Sequence, residues 1–253
     1  MPQRRSLTRS QTSPAHDDGS SVVRFHLLGC IPYDTCAQLQ KRLVAEAIAT
    51  GESRSTVLLA EHPAEITVGR RGSRRHVRLS PDQLSDRGLA IRWVPRGGGC
   101  VLHSPGQLAI YPIVPLGPRQ WTFSEFRRRI HRALVATLQS CGYANAPTLP
   151  GAGIWGRTGC LAVSGIGESS GVTHHGAWLN VHPECGEFAS IDVVPPDQVD
   201  EQVCTTMSSL LAEHRRPVRM TTIRAAVVEK MSAAFDCESP HLFTGHPLVG
   251  TGR

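Results

Sequence analysis

The sequence predicts a single-domain α/β protein with a mixed sheet, and three observations lead to this fold class. Strand-like and helix-like segments interleave irregularly, which favours a mixed sheet over a doubly wound parallel one. The 253 residues are enough to bury one sizeable core. No Pro- or Gly-rich linker divides the chain, so we expect one domain over residues 22–237, with a disordered tail at 1–21 and a loose tail at 238–253.

The elements of the N-terminal half follow from local patterns. Short apolar runs predict strands at 22–28, 56–61, 66–68, 89–94 and 107–114. Between the first two strands, Leu39, Leu43 and Ile48 recur at helical spacing. Asp34 is placed to cap this helix, and Gly51 ends it.

The C-terminal half predicts helices and short strands in alternation. A helix starting at Thr122 or Ser124 would place Phe126, Ile130 and Leu134 on one face. Further strands are expected at 153–155, at 161–164 and as a pair within 171–181. Helices are expected at 205–213 and 222–235.

Composition narrows the classes of protein. The net charge is +6, yet there is no zinc-ligand spacing, no RNP-like aromatic pattern and only 5% aromatic residues, so we expect no nucleic-acid partner. No apolar run approaches the roughly 18 residues of a membrane span, and we expect no membrane partner. The first 21 residues lack the apolar core of a secretory signal, although a transit peptide and a plain tail both fit them. Eight cysteines without CxxC spacing favour free thiols in a reducing cytoplasm.

The stretch from Arg96 to Pro112 (RGGGCVLHSPGQLAIYP) carries the most informative pattern. Three glycines after a strand let the backbone approach a ligand closely, because no Cβ intrudes. Exposed N–H groups there suit a carboxylate or phosphate, and Arg96 adds a charged fork. The alternative is a glycine-rich hairpin with a hydrogen-bonded His103, and residue types alone leave both interpretations open.

Two further stretches suggest ligand contact. In GVTHHGAWLNV (171–181), alternation places His175 and Ala177 on one face of a strand, and a histidine beside a glycine suits a ligand-facing position. In HPAEITVGRR (62–71), two arginines follow a glycine at a strand end, as in an anion or carbonyl clamp. A core histidine and a solvated turn are the respective alternatives.

In this order, these blocks resemble the octanoyl/lipoyl transferases of lipoate synthesis, the lipoate–protein ligase B family. Pro32-Tyr33 with Gln40 resembles the family's opening helix. EHPAEITVGRR (61–71) is similar to E-H-x-x-x-x-T-x-G-R-R, and RGGGCVLHSPGQLAIYPIV (96–114) to R-G-G-x-V-T-Y-H-G-P-G-Q-L-V-x-Y-P-I. THHGAWLNV (173–181) is similar to T-x-H-G-L-A-L-N-V.

The resemblance implies the biotin/lipoate protein ligase type of α/β fold. It also implies transfer of an octanoyl group from octanoyl-acyl carrier protein to a lysine of a lipoyl domain. The acceptors would be lipoyl domains of 2-oxoacid dehydrogenases or the glycine cleavage H protein. In the family's chemistry a cysteine takes the acyl chain as a thioester, and a lysine beside it favours the thiolate. We expect no cofactor and no metal.

The resemblance also implies an acyl pocket formed by the glycine loop and two strands. Its residues would be Arg70, Arg96, Gly97, Gly98, Gly99, Cys100, Val101, Leu102, His103, Val163, Ser164, Gly165, Gly176, Ala177 and Trp178. Trp178 stands where the family usually has alanine. A bulky indole there predicts a shorter or reshaped acyl cavity.

The sequence departs from the family at both reacting positions. Aligned on His175, the lysine of G-x-K-I-A-A-I-G falls at Cys160. The cysteine of P-C-G falls at Val194 without a gap, or at Pro196 with one. Both members of the Cys/Lys pair are therefore absent from their expected positions.

Three explanations compete for the missing pair. The nucleophile has moved to Cys160 and is activated by His103 or His175, with Cys185 and Cys100 as weaker candidates. Alternatively, the site binds donor and acceptor together and transfers the acyl group directly. Lastly, the chain is an inactive or repurposed paralogue that binds an acyl group or a lipoyl domain. An adenylating lipoate ligase would share the fold, but the SPGQ segment favours the transferase.

Overall fold

The computed structural model describes residues 22–143, 153–184, 186–193, 205–216 and 218–249. Its strands and helices run in chain order as β1 Val23–Cys30, α1 Tyr33–Thr50, β2 Ser55–Glu61, β3 Glu65–Val68, α2 Pro81–Asp86, β4 Ile91–Trp93, β5 Cys100–His103, β6 Gln107–Ile113, α3 Phe123–Ser140, β7 Gly153–Trp155, β8 Cys160–Ser164, β9 Gly167–Ser169, β10 Val172–His174, β11 Ala177–Asn180, α4 Leu210–His214, α5 Met220–Ala234 and β12 His241–Thr244. The predicted tail at 1–21 and residues 250–253 lie outside the described residues.

A seven-stranded mixed sheet organises these elements, in the order β12-β1-β2-β6-β11-β8-β7. β1 pairs in parallel with β12 and β2, while the pairs from β2 to β7 are antiparallel. A three-stranded sheet, β4-β3-β5, and the hairpin β9–β10 complete the strands of the described part. The mixed α/β fold predicted from the sequence is confirmed.

The large sheet is covered on both faces. Side chains alternate along a strand, so Leu108 and Ile110 of β6 join a core built with α3 and α5. Ala109 and Tyr111 point the other way, into a core shared with α1 and the three-stranded sheet. Most apolar residues of the candidate site, including Val101, Val163 and Trp178, lie on this second face, whereas Ala177 belongs to the first core.

Helix ends follow the local sequence. Thr122 caps α3 by accepting a hydrogen bond from Glu125 N (3.1 Å), and Gly51 ends α1 with a φ of 64°. Asp34 does not cap α1 as the sequence predicted, because the helix begins two residues earlier than such a cap requires, at Tyr33 after Pro32. Its carboxylate instead lies in the first turn, where a negative charge complements the helix dipole.

Two C-terminal predictions differ from the structure. The predicted helix at 205–213 is only α4, because Thr206 and Met207 bridge Asp192 and Cys160 as extended backbone, and Ser209 then caps the helix. The tail from Glu238, predicted to be loose, contributes β12 to the edge of the large sheet. Among the described residues, no helix is long and apolar enough to cross a membrane.

Candidate active site

The glycine loop lies between β4 and β5 and is braced by the loop after β3. Gly69 N donates to Gly99 O (3.0 Å), Arg70 N to Arg96 O (3.0 Å) and Arg71 N to Gly98 O (3.1 Å). Gly98 has a φ of 81°, which favours glycine. No hydrogen bond joins the amide N–H groups of residues 97–99 to another described residue. These amides can therefore bind a carbonyl or carboxylate oxygen.

Arg96 is fully buried, and its guanidinium donates hydrogen bonds that support the loop instead of being open to a ligand. Its Nη2 donates to the Thr67 carbonyl and hydroxyl oxygens (both 2.9 Å), and its Nη1 donates to Gly97 O (2.9 Å). The guanidinium also lies 5.0 Å from the centre of the Trp178 ring. Burial lowers the pKa of Arg96 to about 10, so the group stays charged at neutral pH.

His103 has both ring nitrogens occupied. Gln107 Oε1, which can only accept, lies 3.0 Å from Nδ1, so Nδ1 carries the proton. The Thr67 hydroxyl then donates to Nε2 (2.9 Å). Burial, with His62 and Arg96 nearby, holds the pKa of His103 well below its usual value. His103 is therefore a neutral, fixed residue of the site.

Cys160 begins β8 and is fully buried. Its thiol donates to Ala162 O (3.3 Å), and its carbonyl accepts from Asn180 Nδ2 (3.0 Å). Asn180 Oδ1 in turn accepts from Gln107 Nε2 (2.8 Å). This chain of amides connects the backbone of Cys160 to Gln107 at the start of β6.

The structure does not bring His103 or His175 to the Cys160 thiol. Both nitrogens of His103 are bound to other groups. Gly165 N donates a hydrogen bond to Gly176 O (2.7 Å), and this contact fixes the position of the peptide before Ala177. Gly165 lies five residues after Cys160 in the sequence. At about 3.3 Å per residue, the contact between Gly165 and Gly176 lies on the order of 16 Å along the chain from Cys160, and His175 is one residue beyond Gly176. These contacts do not support activation of Cys160 by either histidine, which stays a prediction.

The predicted pocket walls do come together. A Cβ on Gly165 would lie 2.6 Å from Gly97 O and 3.1 Å from the Trp178 ring, so both strands approach the glycine loop closely. Ala177 and Trp178 pair with Ser164 and Val163 across β11 and β8. Cys100, Val101 and Leu102 are buried in β5, next to this contact, whereas Arg70 is exposed on the bracing loop.

Trp178 occupies the space between these walls. Its ring is fully buried and lies 5.5 Å from the His103 ring, centre to centre. Its Nε1 donates to the Tyr111 hydroxyl (3.1 Å), which also lies 2.7 Å from His62 Nε2. Two cavities formed by the described residues, of about 890 and 470 Å³, are not lined by Trp178 or the three loop glycines. The buried indole occupies space between the walls, and the shorter or reshaped acyl cavity expected from the sequence stays a prediction.

Tyr33, His62 and Tyr111 belong to this buried cluster but were not among the predicted site residues. Tyr33 lies 5.3 Å from His103 and 5.5 Å from His62, ring centre to ring centre. All three fall within the motif-like blocks at 32–40, 61–71 and 96–114. Their position in those blocks was the signal in the sequence that could have identified them as site residues. They were missed because aromatic side chains in apolar runs are typical of core packing.

The expected nucleophile positions Val194 and Pro196 lie outside the described residues, as do Cys185 and Cys204. Cys100 donates its thiol to Ser73 O (3.4 Å), and burial raises its pKa. In the described segments, no group of three or more His, Cys, Asp or Glu side chains could hold a metal ion.

The fold and the site together define an α/β domain with a mixed sheet and a glycine loop next to a buried aromatic cluster. The comparisons give the family. The chain belongs to the lipoyl protein ligase A/B catalytic domain family, whose profile matches residues 32–232.

Sequence relatives cover most of the chain. An octanoyltransferase from Roseiflexus sp. (strain RS-1) is 33% identical over 221 residues, covering 86% of this chain and 89% of the relative. An octanoyltransferase from Geobacter metallireducens is 34% identical over 221 residues, covering 87% and 97%.

Solved structures share the fold. A bipartite lipoate protein ligase from Thermoplasma acidophilum aligns with a TM-score of 0.63 at 15% identity, covering 89% of this chain and 88% of that one. A lipoate-protein ligase A bound with ATP aligns with the same TM-score at 16% identity, covering 89% and 90%. The predicted lipoate-ligase type of fold is confirmed.

Proposed function

We propose that this chain is an octanoyltransferase of lipoate biosynthesis. It would move an octanoyl group from octanoyl-acyl carrier protein to a lysine of a lipoyl domain, in a 2-oxoacid dehydrogenase or the glycine cleavage H protein. The observation that carries the proposal is the 33–34% identity to octanoyltransferases over 86–87% of the chain. The amides of the glycine loop, which make no hydrogen bond to another described residue, support it because they suit the carbonyl oxygen of an acyl group. The adenylating ligase is not favoured, since the ligase structures share only the fold.

The reaction route needs separate argument, because the family's Cys/Lys pair is absent from its expected positions. A relay through Cys160 would need an activated thiolate, whereas this thiol is buried and donates a hydrogen bond to Ala162 O. We therefore favour direct transfer. The acceptor amine attacks the thioester carbon, the C–S bond breaks, and the amine proton leaves with the carrier thiolate as a thiol.

An acyl-transfer assay tests both the function and the route. The full chain is incubated with octanoyl-carrier protein, with and without a lipoyl domain, and intact masses are recorded. Octanoylation of the lipoyl domain is expected, without a hydroxylamine-labile adduct on this chain. No transfer at all would overturn the proposed function in favour of an inactive paralogue.

Two variants separate the routes. Direct transfer predicts that Cys160→Ser and Cys160→Ala keep the rate within about threefold, because no covalent intermediate forms there. A loss of about a hundredfold in both variants, with a wild-type adduct that disappears, would establish the Cys160 relay. An adduct that persists in Cys160→Ser would show that the thioester forms on another cysteine, and it would also contradict direct transfer. Circular dichroism of each variant checks that the buried substitution leaves the fold intact.

A further inference from the structure

The 241–249 segment, which is β12 and the turn after it, is attached to the large sheet by strand pairing and by one cluster of rings. The His26 ring, on β1, stacks on the Phe243 ring (4.9 Å between centres) and contacts the His246 ring (4.6 Å). The four side chains of β12 are exposed, and neither core includes them. Segments with few buried contacts open locally at a low free energy. The ring cluster therefore carries much of the attachment of this segment.

His26 is placed to take up a proton. Its Nδ1 lies 2.9 Å from Gly245 O, which can only accept, so Nδ1 carries the proton of the neutral ring. A second proton would go to Nε2, which makes no hydrogen bond to a described residue and is not closed off from solvent. The ring lines the larger cavity, of about 890 Å³, and water can reach it from there.

The second ring of the cluster, His246, loses a hydrogen bond when it becomes charged. Its Nδ1 accepts from Leu248 N (3.2 Å), and Val249 N donates to His246 O (2.9 Å) in the same turn. A proton on Nδ1 would face the Leu248 N–H group, so the first of these bonds would break. A charged His246 ring would also repel a charged His26 ring at this distance.

The other charges at this contact come from β1, α1, β12 and the loop before β2. The ionised groups that line the cavity are Arg24, Glu46, Glu52 and Arg54. Glu52 and Arg54 pair with each other (3.1 Å), and His241 of β12 lies opposite Arg24 of β1. Two arginines and two glutamates balance at neutral pH. The histidines are therefore the groups whose charge changes between pH 7 and 5.

Both rings of the cluster have a pKa below the ordinary value of 6.5 while the segment is attached. Burial is the main cause for His26, and Arg24 adds to it against the hydrogen bond to Gly245 O. Burial is again the main cause for His246, and His26 adds to it. Release of the segment restores the ordinary pKa, so the released state binds more protons. Attachment is therefore strongest above about pH 6.5 and weakens as the pH falls through the lowered values.

We propose that the 241–249 segment is a pH-sensitive element, which stays on β1 at neutral pH and detaches when His26 and His246 take up protons. Detachment opens the larger cavity and exposes the edge of β1, while both cores stay folded. Each histidine increases the opening equilibrium by up to about tenfold per pH unit between its attached and released pKa. The inference does not depend on the proposed function, because these residues are not part of the glycine-loop site.

Hydrogen–deuterium exchange of the full chain at pH 7.5, 6.5 and 5.5 tests this inference, with protection factors corrected for the intrinsic exchange rate. Protection of the 241–249 amides should fall at least about tenfold from pH 7.5 to 5.5. A peptide across β6 is the internal reference and should keep its protection. Unchanged protection of 241–249, or an equal fall in both peptides, would overturn the inference.

Two asparagine substitutions separate protonation from packing. In the double variant His26→Asn/His246→Asn, the amides can replace Nδ1 as donor to Gly245 O and as acceptor for Leu248 N, but they take up no proton. We expect neutral-pH protection within about threefold of the wild type and no pH dependence. His131→Asn is the matched control, because His131 on α3 is also a partly buried histidine with a lowered pKa. pH dependence that persists in the double variant, or that disappears in His131→Asn, would overturn the inference.

Arg24→Gln keeps both rings and so tests the charges even if the double variant attaches its segment poorly. Without this cation, the pKa of His26 in the attached state should rise towards its ordinary value. The loss of protection at 241–249 should then move to lower pH. An unchanged midpoint, or one at higher pH, would overturn the inference.

Discussion

The side chain of Trp178 determines how much space remains beside the glycine loop. The indole packs between the Arg96 guanidinium and the His103 ring, and it donates to the Tyr111 hydroxyl. Arg96 and His103 are themselves fixed by Thr67, so they cannot move aside at low cost. The acyl chain of a donor that enters this region therefore contacts side chains that are held in place.

Trp178→Ala should enlarge the acyl site. Removing the indole leaves a cavity next to the glycine loop, and we expect the ratio of kcat/KM for C8 over C4 donors to rise at least about tenfold. The same change should lower the free energy of unfolding by about 3–5 kcal/mol, as large-to-small core substitutions do. Transfer rates with C4 to C12 donors and urea denaturation measure the two effects.

Trp178→Phe is the control, because it keeps most of the ring volume and removes only the hydrogen bond to Tyr111. It should leave the chain-length ratio within about threefold of the wild type and cost roughly 1–2 kcal/mol. A chain-length preference that is the same in both variants and the wild type would mean that the acyl group does not approach position 178.

At the scale of elements, one contact fixes the loop that leads into β8. The Glu213 carboxylate, on α4, accepts hydrogen bonds from Arg157 N and Nε (both 3.0 Å) and from Thr158 N (3.0 Å) and Oγ1 (2.9 Å). Burial raises the pKa of this carboxyl, but the bonds from Arg157 and Thr158 outweigh it and hold the pKa at about 2. The loop between β7 and β8 is thereby joined to a helix more than fifty residues further along.

Glu213→Gln should destabilise the protein in a pH-dependent way. The amide places a donor against N–H and O–H groups, and we expect a loss of about 1 kcal/mol at pH 7, kept small by solvent screening. The folded-state pKa is below the ordinary value of 4.5, so the wild-type advantage is present above pH 4.5 and is lost as the pH falls towards 2. Urea midpoints of both proteins from pH 7 to 2.5 measure it. A difference independent of pH would show that charge is not the cause.

The sequence predicted the elements well where a single pattern determined them. The helical spacing of Phe126, Ile130 and Leu134 located α3, and the apolar run at 107–114 located β6. The sequence-based prediction failed where contacts with residues distant in the sequence determine the local structure. Thr206 and Met207 have helix-compatible neighbours, but their pairing with Asp192 and Cys160 makes them extended.

The candidate site shows the same division. The glycine loop was recognised from residue types as a place where backbone can approach a ligand closely, and its two partner strands followed from the family resemblance. The occupied nitrogens of His103 and the separation of His175 from Cys160 depend on strand register. Local sequence does not determine register, so residue types alone could not establish a pairing of histidine and thiol.

At the scale of the whole molecule, the open edge of the large sheet depends on the C-terminal segment. β12 pairs along half of β1, from Arg24 to Leu27, and His26 extends the contact through Nδ1, 2.9 Å from Gly245 O. The His26 and Phe243 rings are also stacked, 4.9 Å apart. A four-residue strand thus replaces an eight-residue strand as the exposed edge.

Deleting residues 238–253 should therefore destabilise the protein and promote association. Four cross-strand pairs at about 0.2–1 kcal/mol each predict a loss of roughly 1–4 kcal/mol. The eight-residue edge of β1 would then be open to pairing with another chain, because unpaired edge N–H and C=O groups are templates for strand addition. Urea denaturation and light scattering at several protein concentrations measure both effects. Phe243→Ala, which removes the ring but not the strand, should cost less than half as much and should not increase scattering. If the deletion leaves the urea midpoint and the scattering unchanged, β12 does not support the sheet, and the loose tail expected from the sequence is the better description.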